Sequence, residues 1–414
     1  MIIGIILVSW TARYLEPSQF GRWNYAIAFV AIFSTLANLG LDQIVIKEII
    51  NHSEVKNEFL GTAFFLKLIG GIGALFLSLI FIYIIKKDDF IIVGIISAGF
   101  IFQSFDVIDF YFQSELKSKY VVYAKNISFI LIALFKIWLI LSAAALIAFV
   151  WTSLLEIILS AIFLIYFYNL NNNYLKNWKF NINYAKTMLQ ASWPLILSGI
   201  AIIIYMRIDQ IMLGQIVGNN AVGNYSAALK ISELWYIVPI SVSSSIYPIL
   251  LEKKKKSQED YFKNLQLFYD VMFTMAFFIS IFIMLFGNKI IFLLYGANYS
   301  DASTILIIHI WSSIFVFLGV AAGYHLLIEE LTKISFYRAL IGAIINIILN
   351  LILIPQYSGI GAAIATLISY SFESFWSNLF FKKTKIIFFM MLKSLNIFRL
   401  ARILIEKFSK KYKI

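Results

Sequence analysis

The chain contains no cysteine, which excludes disulfides and thiolate metal sites. Charge is also scarce: Asp, Glu, Lys and Arg make up 14% of the 414 residues, against about 25% in soluble domains. No GxSxG, HExxH or GxxxxGK[ST] motif occurs, and no loop gathers acidic metal ligands. The common hydrolase, zinc-protease and P-loop chemistries therefore have no foothold, and any uphill work must draw on a gradient rather than on bound ATP. What the chain has in abundance is apolar side chain, 61% of residues with 17% aromatic. That exceeds what a soluble core absorbs and is the composition of a polytopic membrane protein.

Hydrophobic runs near 20 residues long recur with short polar breaks. They fall at about 1–12, 22–46, 60–85, 90–113, 120–141, 143–168, 191–213, 222–250, 265–294, 302–328, 335–354 and 359–381. The expected fold is thus an all-α integral membrane protein of about twelve transmembrane helices. The first run is too short to cross and lacks a basic leader or cleavage site, so it reads as a truncated first helix rather than a signal peptide. An Asn-rich break at 169–190 divides the chain into a six-helix bundle at 1–168 and another at 191–381, followed by a basic tail at 382–414.

The net charge of +12 is concentrated in that tail, which carries ten Lys/Arg against the single acid Glu406. Such a distribution suits anionic membrane lipid and not nucleic acid. One set of alternate loops, with the tail, holds 25 Lys/Arg; the opposite set holds four. The positive-inside rule assigns the richer set, and so the C-terminal tail, to the cytoplasm. From Ile397 the tail separates Ile397, Phe398, Ala401, Leu404, Ile405 and Phe408 from Arg399, Arg402, Glu406, Lys410 and Lys413, the pattern of an interfacial amphipathic helix.

The halves resemble each other. FGRWNYAIA (20–28) aligns without gaps on VGNYSAALK (222–230), an offset of 202 that pairs Gly21 with Gly223 and Trp23 with Tyr225. Six intervening spans keep both copies in the same orientation, as in a parallel repeat.

An ionisable side chain inside a span costs at least about 2.5–3.5 kcal/mol, so it should face a bundle interior or a wet cavity. Several polar residues do line up at helical spacing: Asn24, Thr35, Asn38 and Asp42; Gln103, Asp106, Asp109 and Gln113; Ser153, Glu156 and Ser160; Ser198, Tyr205 and Asp209; Ser226, Lys230, Glu233 and Ser241. Each also has a plainer reading. Arg207 can snorkel to headgroups. Lys230 and Glu233 can pair with each other, and Lys136 can pair with Glu156. Asp106 and Asp109 stay ambiguous near a cytoplasmic end. His309 and His325 read as interfacial.

The stretches ARYLEPSQFGRWNYAIAF, LANLGLDQIVIKEI, RIDQIMLGQIVGNNAVGNYSAA and YSGIGAAIATLISY together resemble the polysaccharide biosynthesis or O-antigen flippases of the MATE-like exporter superfamily. Glu16 departs from the pattern, standing where the family has Gly. The resemblance implies two six-helix bundles and a transporter, not an enzyme, in the bacterial cytoplasmic membrane. Its cargo would be undecaprenyl-pyrophosphate-linked glycan, moved by alternating access, with other glycan-assembly membrane proteins as partners. Arg13, Asn38, Lys136, Arg207, Lys230 and Glu233 would then line the substrate cavity. Asp42, Glu156 and Asp209 would contact sugars or couple H⁺ or Na⁺. No other cofactor and no metal is expected. Two rivals stand beside this reading: a drug or small-solute antiporter, which calls for a more acidic cavity, and a membrane polymerase or ligase, which calls for a large outward loop.

Overall fold

In a bilayer every backbone N–H and C=O must find its partner within the protein, which leaves helix as the solution for a lone apolar run. The computed structural model describes residues 2–397 and Arg399, and among the described residues there is no strand. The chain divides into two compact units, 1–211 and 212–414.

The first unit is built from α1 (Ile2–Asn38), α2 (Asp42–Asn51), α3 (Lys56–Ile85), α4 (Phe90–Ser97), α5 (Gly99–Gln103), α6 (Val107–Ser114), α7 (Lys119–Leu141), α8 (Leu146–Leu170) and most of α9 (Ile182–Ile216). The second contains the end of α9, then α10 (Asn219–Ser232), α11 (Ile237–Lys256), α12 (Gln258–Tyr295), α13 (Ser300–His309), α14 (Ser312–Ile328), α15 (Thr332–Ser374) and α16 (Lys385–Ser394). The 37 residues of α1 and 43 of α15 are too many for single crossings, and each helix is broken by a residue at positive φ: Glu16 (φ 58°, ψ 166°) and Ser358 (φ 51°, ψ −132°). Among the described residues nine helices, or ten with the bent pair α13–α14, are long and apolar enough to cross a membrane, and counting the two limbs of α1 and of α15 separately gives about the twelve segments expected, the first of them short. α16, only ten residues long, packs Ile387, Phe388, Met390 and Met391 into the second unit's core and adds no crossing. The amphipathic tail expected from Ile397 lies almost wholly outside the described residues.

Turns between spans use non-glycine residues in the left-handed region. Leu116 N bonds Gln113 O and Lys117 N bonds Phe112 O (3.1 and 2.7 Å); Glu330 N bonds Leu327 O and Leu331 N bonds Leu326 O (3.2 and 2.7 Å). These paired bonds satisfy the last helical carbonyls as a Schellman cap does. Ala143 makes the same turn between α7 and α8, so a sharp reversal forms at 142–145 without polar turn residues.

The stretch 169–190, expected as a linker, is held on the first unit. Lys179 N donates to Asn57 O (3.2 Å), Asn181 N to Thr62 Oγ1 (3.0 Å), and Asn181 Nδ2 to Glu58 Oε2 (2.8 Å).

The repeat is visible in side-chain work. Trp23 Nε1 donates to Ser153 Oγ on α8 (3.3 Å), and its counterpart Tyr225 shares a hydrogen bond with Thr366 Oγ1 on the second limb of α15 (3.2 Å). In each unit the matched aromatic bonds a hydroxyl on a helix later in the same unit. The same offset of 202 carries Glu16 onto Gly218, which is also at positive φ (118°).

Candidate substrate cavity

The first unit contains a cavity of about 260 Å³ where α1 ends and α2 begins, beside α3, α6 and α7. The reversal between α1 and α2 passes through Leu39 and Gly40, both at positive φ, and swings Asn38 and Asp42 onto its wall. Lys67 reaches it from the middle of α3. Asp106, Asp109, Phe110 and Gln113 come from the bent span ending in α6, and Lys125 from α7. α3 can approach its neighbours closely because it has glycine at two successive positions. A Cβ on Gly70 would stand 2.9 Å from Leu36 O, and one on Gly71 would stand 2.7 Å from Phe100 O.

The charges on this wall are unequally satisfied. Lys125 Nζ pairs with Asp109 Oδ2 at 2.7 Å, and Gln113 Nε2 donates to Asp109 Oδ1 at 2.8 Å. Lys67 is only 2% exposed, yet among the described residues its ammonium has no ion-pair or hydrogen-bond partner; it sits 4.9 Å from the centre of the Phe110 ring. That contact is a cation–π interaction. Asp106, Asp42 and Asp109 attract Lys67 through space, and Lys125 opposes them. Asp106 and Asp42 likewise have no direct partner among the described residues. An unspent ammonium and two unspent carboxylates around one cavity can bind a ligand that both donates and accepts hydrogen bonds.

The other residues singled out in the sequence do not join this cavity. Arg13 is exposed on the first limb of α1. Lys136 lies 3.9 Å from Glu156 and 5.7 Å from the Trp23 ring centre, a cross-link of α1, α7 and α8. On α9, Asp209 is buried and Arg207 half-buried. Lys230 is exposed and Glu233 half-buried where α10 meets α11. Of the nine candidates, Asn38 and Asp42 line the cavity. Asp106 and Asp109, on a polar stripe that the sequence leaves ambiguous, also line it, and Lys67 and Lys125, which were not singled out, complete it.

The histidines differ from expectation. His309 and His325 are each 2% exposed and hydrogen-bonded, His309 Nδ1 with Ser232 Oγ at 2.8 Å and His325 Nδ1 with the Tyr261 hydroxyl at 2.6 Å. Both are interior residues and not interfacial ones, because each has a hydroxyl on a neighbouring helix to satisfy its ring.

Comparison with known proteins places the chain. A family model described as polysaccharide biosynthesis protein matches residues 1–254, and the MatE model matches residues 194–352. The capsular polysaccharide biosynthesis protein CapF of Staphylococcus aureus is 23% identical over 370 residues, 86% of this chain and 89% of that protein. The probable low-salt glycan biosynthesis flippase Agl15 of Haloferax volcanii is 24% identical over 189 residues, 45% of this chain and 40% of that protein. Among solved structures, an inward-facing multidrug resistance MATE transporter superposes with a TM-score of 0.77 at 14% identity, covering 93% of this chain and 94% of its own. The lipid II flippase MurJ, inward closed, gives 0.75 at 19% identity, covering 98% and 90%. The MATE-like helical fold and the family match agree, and the chain belongs to the polysaccharide biosynthesis protein family, flippase-type transporters of the MOP superfamily.

Proposed function

We propose that the protein flips undecaprenyl-pyrophosphate-linked oligosaccharide from the cytoplasmic to the outer leaflet of a bacterial cytoplasmic membrane by alternating access. The observation that carries this reading is the cavity around Lys67, where polar groups lie unspent inside an apolar unit. Each sugar hydroxyl loses about 4–8 kcal/mol on entering hydrocarbon without a partner. A polar surface at membrane depth lowers that barrier while the lipid tail stays in the bilayer. Lys47, Lys56, Lys117 and Lys119 flank the helix ends around the cavity, and the positive-inside count puts those ends in the cytoplasm, where the lipid-linked substrate is made. The names of CapF and Agl15 support a glycan cargo.

Within the proposal, Arg13, Arg207 and Lys230 are the cations available to the pyrophosphate, as point charges or bidentate donors. Asp42 and Asp209 are the carboxylates available for H⁺ or Na⁺ coupling. Other glycan-assembly membrane proteins would supply the substrate and receive the product. The test is reconstitution in liposomes with a short-chain lipid-linked oligosaccharide. The expected result is protein-dependent movement to the opposite leaflet. An unmoved substrate contradicts the reading, and a flux indifferent to imposed pH and Na⁺ gradients removes the coupling.

A further inference from the structure

Resting on that flippase reading, we infer that the Lys67 cavity is a glycan subsite: it holds one sugar ring of the substrate by its hydroxyls and does not hold the diphosphate. The donor and acceptor inventory separates the two ligands. A diphosphate at neutral pH offers almost only acceptors. In this cavity it would face Asp42, Asp106 and Asp109, which as carboxylates also only accept. Lys125 is already engaged by Asp109 at 2.7 Å, so Lys67 alone would oppose that repulsion. A hydroxyl donates and accepts at once. Vicinal hydroxyls of one ring can accept from Lys67 and donate to Asp106 and Asp42, with the amides of Asn38 and Gln43 serving either role.

Two further observations point the same way. Lys67 is 2% exposed and unpartnered among the described residues, a buried donor that a ligand would complete. The volume of about 260 Å³ sits below the usual ligand-pocket range of about 300–1,000 Å³. It suits a single ring and not a whole oligosaccharide.

The cysteine-free chain makes a clean test. Gln43→Cys protein, full length in liposomes, is reacted with a membrane-impermeant maleimide. Three probes are compared: oligosaccharide released by mild acid from the host's lipid-linked pool, inorganic pyrophosphate, and a short-chain lipid-linked oligosaccharide whose flux is measured in parallel. The released sugar should slow labelling about tenfold and pyrophosphate should not. Losing one charge-assisted hydrogen bond, in Asp106→Asn, should raise the half-protecting sugar concentration about tenfold or more. Asp42→Asn, an exposed position, serves as the second variant if Asp106→Asn does not fold. Protection by pyrophosphate, flux without protection by the sugar, or protection unchanged in the folded variants overturns the inference and leaves the flippase reading standing. Absence of flux in the protein with Gln43 intact overturns both.

Discussion

Buried charge is handled in opposite ways in two regions of this molecule. In the first unit, buried Lys67, half-buried Asp106 and exposed Asp42 surround a cavity, with no direct partner among the described residues. In the second, the buried groups are committed to one another. Arg338, 2% exposed, donates to the carbonyls of Glu373 and Ser374 at 2.9 and 3.4 Å and lies 3.4 Å from the Glu373 carboxylate. Asp270 accepts from Gln266 at 2.9 Å and pairs with Arg399 at 3.1 Å. Lys254 meets Glu329 at 3.0 Å. Desolvating a charge is costly, and close partners are what offset the cost. The second unit's charges therefore hold helices together, whereas the first unit's cavity keeps its charges available for a ligand at some expense in stability.

Breaking a committed group should have the largest effect on folding. Arg338→Ala leaves Glu373 and two carbonyls without their donor, and the expected loss is about 3–5 kcal/mol. It should appear as a large fall in the thermal midpoint of the purified protein. Removing the Tyr261 hydroxyl strands the His325 ring in the same unit, so Tyr261→Phe should cost about 1–3 kcal/mol in the same assay.

Much of the architecture was legible because it rests on local pattern. Hydrophobic length gave the spans, and the pairing of Trp23 with Tyr225 marked two helices that do the same work in their own units. Asn38 and Asp42 were legible as cavity residues because they continue a polar stripe along one chain segment. Lys67 was not. Its neighbours one turn away on α3 are Ala63, Phe64, Gly70 and Gly71, so no stripe marks it. Its polar surroundings come from α2 and from the span ending in α6, brought in by tertiary packing that single-segment periodicity does not see. Conversely, Lys230 looked costly inside a span but is exposed. The histidines misled because a sequence does not say which hydroxyl will sit opposite a ring.

The repeat gives a smaller and sharper comparison. Glu16 and Gly218 occupy matched hairpins at positive φ, but only glycine adopts such backbone without strain. Glu16→Gly should stabilise the protein by about 1 kcal/mol, and Gly218→Ala should destabilise it by a similar amount. A Cβ on Gly218 would meet nothing within 4 Å, so that loss would report backbone strain alone. Equal midpoints for parent and both variants would break the equivalence.

The most direct test of the account sets stability against transport in one variant, Lys67→Met. Removing a buried ammonium that among the described residues has no ion-pair or hydrogen-bond partner should leave the thermal midpoint unchanged or higher, while flux of lipid-linked oligosaccharide in liposomes falls at least about tenfold, as loss of a charged ligand contact implies. A midpoint lowered by several degrees with flux intact would mean that Lys67 serves the fold and not the cargo, and would contradict the account.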